Sequence, residues 1–148
     1  MSFEVSASAL EAQRIRMDVI ANNIANAQST RTEDGGPYRR RAVVFEAVGG
    51  GGNRFRRMLE SAEMDRVAGS GVRVARIVEA QGPEAFIEVY DPTNPDADSE
   101  GIVRKPNIRV VDEMVNLIDA SRAYEANITA LNTTRQINNK TLEIGRTA

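Results

Sequence analysis

The most constraining feature of the sequence is a long segment, from Asn107 to Ile144, that contains neither Gly nor Pro. It follows Pro106, and Asn107 is a suitable N-cap for a helix. Apolar residues recur here at steps of three and four, which predicts one helix about 55 Å long. Its seam consists of Val110, Met114, Leu117, Ser121, Tyr124, Ile128, Leu131, Arg135, Asn138 and Leu142. A second row widens the apolar face at the start, and consists of Val111, Val115, Ile118 and Ala126. A helix this long cannot bury its whole face on a small domain, which indicates assembly through the remainder.

A second helix is predicted near the N-terminus, roughly from Ser6 to Ala27, where Gly and Pro are also absent. Ser8 followed by Glu11 fits a capping box, which would mark the helix start. Its seam consists of Leu10, Gln13, Met17, Ile20, Ile24 and Ala27. The two terminal helices are therefore expected to pair through their seams in a coiled-coil-like layer.

Three asparagines, Asn22, Asn23 and Asn26, lie within about one turn of the N-terminal helix. Asn is a mediocre helix former, so two interpretations stay open at this point. The side-chain amides bond across an interface, or the asparagines simply mark an approaching helix end.

The middle of the chain has the pattern of short strands. Turn residues at 34–37 precede a predicted strand from Tyr38 to Val48, and Gly49 to Gly52 follow it. A second strand is predicted from Val72 to Val78, with a bulge where the alternation slips, and a third from Phe86 to Tyr90. Residues 53–66 fit either a short helix or a loop. The sequence thus predicts an α+β fold, with a helical assembly domain formed by 1–28 and 107–148 and a small β-rich middle domain at 29–106.

Composition restricts the chemistry open to the chain. Its 148 residues include no His and no Cys, which removes the commonest general base, the thiolate nucleophile and most catalytic zinc sites. The formal charge of −2 argues against a nucleic-acid partner. No apolar run suits a secretory signal or a transmembrane segment. We expect a self-assembling structural subunit with no catalytic residues, no small-molecule substrate and no cofactor.

The acidic stretch from Asp91 to Gly101 has the oxygen ligands of a calcium site but not the spacing. An EF-hand loop requires Gly at its sixth position and Glu at its twelfth, where this chain has Asp96 and Ile102. The glycines at 49–52 and 69–71 likewise lack the arrangement of a phosphate-binding loop. No metal site is therefore expected.

Both ends of the chain resemble a known family. The segment from Ser8 to Thr30, with its ANNIANA motif, is similar to the N-terminal signature of flagellar axial proteins. The segment from Glu113 to Arg146 is similar to the C-terminal signature of the same family. Between them, PYRRRAVVFEA and the segment beginning YDPTNPDA resemble the proximal rod subunits of the bacterial flagellar basal body in particular.

The resemblance implies a rod subunit in the periplasmic space, exported through the flagellar type III apparatus without a cleaved signal peptide. The implied partners are copies of itself, other rod proteins and the export apparatus. The expected assembly interface consists of Leu10, Met17, Ile20, Asn23, Ile24, Asn26, Met114, Leu117, Tyr124, Ile128, Leu131 and Leu142.

Two other functions are alternatives to this one. A helical export chaperone or adaptor would show similar amphipathic helices but would remain a small soluble oligomer with its cargo. A carboxylate-based hydrolase would need two acidic side chains facing across a groove. The sequence contains no motif that places such a pair.

Overall fold

The structure is a computed structural model that describes residues 2–33, 35–48 and 71–146. Two helices, α1 (Ser2–Ala25) and α2 (Val110–Arg146), flank the middle of the chain. The middle contains strands β1 (Arg41–Ala47), β2 (Val72–Glu79), β3 (Phe86–Tyr90) and β4 (Ile102–Pro106). This arrangement confirms the predicted α+β class. The glycines at 49–52 and the ambiguous segment 53–66 lie outside the described residues.

The two helices pack against each other in opposite directions. Asn23, near the end of α1, hydrogen-bonds to Glu113, near the start of α2. Small buried side chains, Ala12 on α1 and Ala120 on α2, allow the helices to approach closely. Because α2 has 37 residues and α1 has 24, the end of α2 extends past its partner. The described side chains of α2 beyond Thr134 are accordingly all exposed.

Strands β1 and β2 form an antiparallel two-stranded sheet beside α1. Val44 pairs with Arg76 whereas Phe45 pairs with Val74, so Ala75 is an extra residue on β2. This irregularity confirms the predicted bulge.

Strands β3 and β4 form a second antiparallel pair, preceded by a short 3-10 helix at Pro83–Ala85. The sequence pattern identified β3 but assigned no strand to β4. The connection between them, residues 91–101, is hereafter the tip loop. Thr30 donates a 2.7 Å hydrogen bond to Asp96 and thereby ties the tip loop to the segment that follows α1.

Both predicted helix caps are wrong. Helix α1 begins at Ser2, so Ser8 lies within it and its hydroxyl donates to the Val5 carbonyl while accepting from the Val72 amide. Helix α2 begins at Val110 rather than after Pro106, and the Asn107 side chain donates instead to the Glu84 carbonyl. In both cases the side chain that the local pattern assigned to a cap instead bonds to another element. That element is strand β2 for Ser8 and the short 3-10 helix for Asn107.

Candidate assembly surface

The side chain of Asn23 is fully buried where α1, α2 and β1 meet. Its amide nitrogen donates to the Arg41 carbonyl at 2.8 Å and to Glu113 Oε2 at 2.9 Å. Its amide oxygen accepts from the Arg41 backbone N–H at 2.9 Å and from the Tyr38 hydroxyl at 3.1 Å. Two donors and two acceptor sites are all an Asn side chain has, so Asn23 is fully satisfied.

Glu113 is a buried carboxylate, with its side chain only 2% exposed. Arg40 donates to Glu113 Oε1 from Nε at 2.9 Å and from Nη2 at 2.7 Å. Both carboxylate oxygens therefore have partners, because Oε2 accepts from Asn23. This charge-assisted pairing compensates for taking the carboxylate out of water. Asn23, Tyr38, Arg40 and Glu113 are hereafter the polar cluster.

Tyr38 contributes the hydroxyl donor of the polar cluster. Burial raises the pKa of Tyr38 above its ordinary value of 10.0, and the negative charges of Glu79 and Glu113 act in the same direction against the opposing effect of Arg41. The phenol is thus held in the protonated form that donates to Asn23.

The start of α2 exposes a row of apolar side chains. Val111 is 71% exposed, and Met114, Val115 and Ile118 are each slightly more than half exposed. Their spacing of three and four residues places them on one side of the helix. Glu113 and Ala120, which are buried, define the opposite side, which packs against the rest of the chain. Val111, Met114, Val115 and Ile118 are hereafter the apolar row.

Comparison with known proteins identifies the family to which these helices belong. Residues 3–31 match the family described as "Flagella basal body rod protein", and residues 99–144 match "Flagellar basal body rod FlgEFG protein C-terminal". A flagellar basal-body rod protein FlgC of Bacillus subtilis is 45% identical across 98% of this chain and 97% of its own length. The FlgC protein of Salmonella typhimurium is 44% identical across 97% and 96%. The FlgC protein of Borreliella burgdorferi is 42% identical across 97% and 95%.

The chain belongs to the FlgC family of flagellar basal-body rod proteins. Its function is that of a structural subunit of the rod, and its location is the flagellar basal body. Membership in the FlgC family favours this function over the export chaperone considered as the alternative. None of the helices in the described ranges is long and apolar enough to cross a membrane.

The structure divides the predicted interface of this FlgC-family chain into three groups. Ile20 and Asn23 are buried within the chain. The half-buried group consists of Leu10, Met17, Ile24, Asn26, Leu117, Tyr124 and Leu131. The exposed group consists of Met114, Ile128 and Leu142. The predicted interface thus includes residues that are buried within the chain and residues whose exposed side chains can contact a neighbouring subunit.

The sequence left open two interpretations of the three asparagines, and each applies to some of them. Asn23 bonds across to β1 and α2, whereas Asn22 and Asn26 donate back to the carbonyls of Asp18 and Asn22 in the same helix. Sequence reasoning missed Tyr38 and Glu113 as partners of Asn23, and Arg40 as the partner of Glu113. In the sequence, the polar cluster is indicated only by an Arg-rich strand start and by a glutamate in the first turn of α2. Both features are equally typical of solvent-exposed positions.

Proposed function

We propose that this chain forms part of the proximal rod by packing the apolar row of α2 against helices of neighbouring subunits. The observation that supports this most strongly is the exposure of four large apolar side chains on one side of a helix whose other side is packed. Such a surface is typical of a protein–protein interaction site. The projecting end of α2 offers Leu142 as a second contact, at 68% exposure.

Burial of the apolar row would contribute favourably to the free energy of assembly. Burying one Val, Ile or Met side chain contributes about 1.5 to 3 kcal/mol. The apolar row therefore provides several kcal/mol per contact, which is enough to offset part of the ordering cost of association. A rod repeats such a contact many times, and a head-to-tail contact of this kind generates a helical array.

In this proposal the two predicted domains of the chain have different roles. Residues 1–28 and 107–148 form the assembly domain, and 29–106 form a middle domain that holds the two helices in place. The polar cluster supports this division, because Arg40 and the backbone of Arg41 bind the side chains that join α1 to α2.

The proposed partners are copies of this chain, other rod proteins and the flagellar type III export apparatus. Family membership supports the rod partners. Export through the flagellar apparatus is the further part of the proposal. The proposed role is mechanical, with no catalytic step. It requires a folded surface and a rigid helix pair rather than a reactive group.

Two aspartate substitutions in the apolar row, Val115→Asp and Ile118→Asp, test this proposal. Both side chains are exposed in the isolated chain, so its circular dichroism spectrum and unfolding midpoint should change little. Rod assembly and motility should be lost because a carboxylate would be buried at each contact. The matched control, Ala130→Asp, adds the same charge at an exposed position of α2 outside the row and should leave motility intact. Normal rods in both row variants would overturn the proposal.

A further inference from the structure

A cleft of about 290 Å³ lies where α1, β1 and α2 meet. Its lining includes the apolar residues Val19, Ile20 and Phe45, hereafter the apolar floor, while Arg16, Arg40 and Arg41 contribute positive charge. Glu113 is the carboxylate among its lining residues, and both of its oxygens are already occupied. Three arginines against one glutamate give the lining residues a formal charge of +2, of which Glu79, paired with Arg41, offsets one. The cleft therefore combines apolar surface with an excess of positive charge.

The three arginines of this cleft differ in their partners. Arg40 is paired with Glu113, and Arg41 is paired with Glu79 at 2.9 Å. Within the described part of the chain, the half-buried guanidinium of Arg16 forms neither an ion pair nor a hydrogen bond. A guanidinium in this position is available for a carboxylate from outside the chain.

The tip loop carries the opposite charge. Its residues include Asp91, Asp96, Asp98 and Glu100 and no Lys or Arg, which gives a net charge of −4. Next to it, at the end of β3, the ring of Tyr90 is 74% exposed. Arg31 and Arg104 lie beside Asp96 and Asp98, whereas Glu100 is exposed near Tyr90. An exposed aromatic side chain near an exposed carboxylate matches an apolar floor beside an arginine.

The tip loop is also held in one shape before it meets any partner. Asp98 Oδ1 accepts from the backbone amides of Glu100 and Ile102, and Asn94 Oδ1 accepts from the amide of Asp96. Gly101 has a φ of +77°, and a Cβ there would come within 3.0 Å of the Tyr90 ring. Glycine therefore permits both the turn and the close position of the ring. Such preorganisation lowers the ordering cost of docking.

We infer that the tip loop of one copy of this chain docks into the α1/β1/α2 cleft of a second copy. Tyr90 covers the apolar floor, and the carboxylate of Glu100 pairs with Arg16. The contact joins two different surfaces, so it is head-to-tail and is compatible with a helical array. It is separate from the apolar row, although it rests on the proposed function because it requires copies of this chain to meet in one rod.

Disulfide cross-linking tests this docking directly, because the natural sequence contains no Cys. We would introduce Asn116→Cys, which lies in the lining of the cleft and leaves Arg16 in place, together with Ser99→Cys into the full chain and oxidise purified basal bodies. A disulfide-linked ladder of this chain, with the 99–116 linkage identified by mass spectrometry, is the expected result. The control pairs Ser99→Cys with Arg14→Cys, an exposed position on the other side of α1, and should give no ladder.

The outcomes separate this inference from the proposed function. Basal bodies that contain the variant chain but yield no 99–116 linkage would overturn the docking and leave the rod function intact. An equally strong ladder from the control would also overturn it. Absence of even the unaltered chain from basal bodies would instead contradict the proposed function.

A second pair of variants covers the case in which the cysteine chain does not enter rods. Arg16→Glu and Glu100→Arg should each reduce the number of rods, since each places like charges together. The double variant should restore rod number by exchanging the two charges. Failure of the double variant to restore rods, with each single variant folded by circular dichroism, would overturn the inference.

Discussion

The amide of Asn23 donates a 2.9 Å hydrogen bond to the carboxylate of Glu113, across 90 positions of sequence and between two buried side chains. This bond joins the end of α1 to the start of α2. Because Glu113 is also held by Arg40, the same carboxylate connects both helices to the segment entering β1. The relative position of the two terminal helices therefore depends on a buried polar contact as well as on apolar packing.

Removal of the Asn23 side chain should destabilise the isolated chain. Asn23→Ala leaves the Tyr38 hydroxyl, a Glu113 oxygen and two backbone groups of Arg41 without their partner. We expect the free energy of unfolding to fall by roughly 2 to 4 kcal/mol, as measured by urea denaturation. Asn22→Ala is the matched control, since Asn22 is exposed and its side-chain amide donates to the Asp18 carbonyl within α1. Equal, small effects of the two substitutions would show that the polar cluster contributes little.

Neutralising Glu113 should weaken the same connection. Glu113→Gln keeps the shape of the side chain but removes the charge that pairs with Arg40. The expected loss of unfolding free energy is about 1.5 to 3 kcal/mol, the value of a hydrogen bond to a charged group. Glu125→Gln makes the same chemical change at an exposed position of α2 and should have almost no effect. A stability for Glu113→Gln equal to that of the control would contradict the assigned role.

Deprotonation of Tyr38 should lower the free energy of unfolding at alkaline pH. Burial raises the pKa of Tyr38 in the folded chain above 10.0, with smaller contributions in the same direction from Glu79 and Glu113. The folded state then binds this proton more tightly than the unfolded state. The associated stability is present below about pH 10 and is lost as the pH rises through the folded pKa. Tyr38→Phe should therefore show a smaller decline of unfolding free energy between about pH 9 and pH 11 than the natural chain. Identical slopes would contradict this account.

Gly71 should be required for the contact between β2 and α1. A Cβ at this position would overlap Ser8 Oγ and lie 3.0 Å from Ser8 Cβ. Gly71→Ala would force the start of β2 away from α1 and weaken the bond from the Val72 amide to Ser8. We expect a loss of about 1 to 3 kcal/mol in unfolding free energy. Gly145→Ala, where the added methyl meets nothing within 4 Å, should be neutral or slightly stabilising in a helix. The reverse order of stability would contradict the packing described here.

Local periodic patterns predicted much of the fold. The seams identified both helices, and β-branched residues beside Phe45 and within 86–90 identified β1 and β3. Strand β4 escaped detection because Arg104, Lys105 and Pro106 obscure its alternation, and its state is set by pairing with β3. Short strands of this kind depend on their partner more than on their own propensity.

The polar cluster could not be predicted for a related reason. Glu113 occupies the first turn of α2, where an acidic residue is expected for electrostatic reasons alone. Only the fold shows that Arg40 and Asn23 surround it. The exposed apolar residues of α2 were identifiable by their spacing, but which of them are covered by α1 depended on how the two helices align.

Electron cryomicroscopy of basal bodies that contain this chain, at a resolution that shows side chains, would test directly whether the apolar row of α2 is an assembly surface. The account predicts that Val111, Met114, Val115 and Ile118 are covered by helices of neighbouring subunits in the proximal rod. An intact rod in which these four side chains face solvent would contradict it.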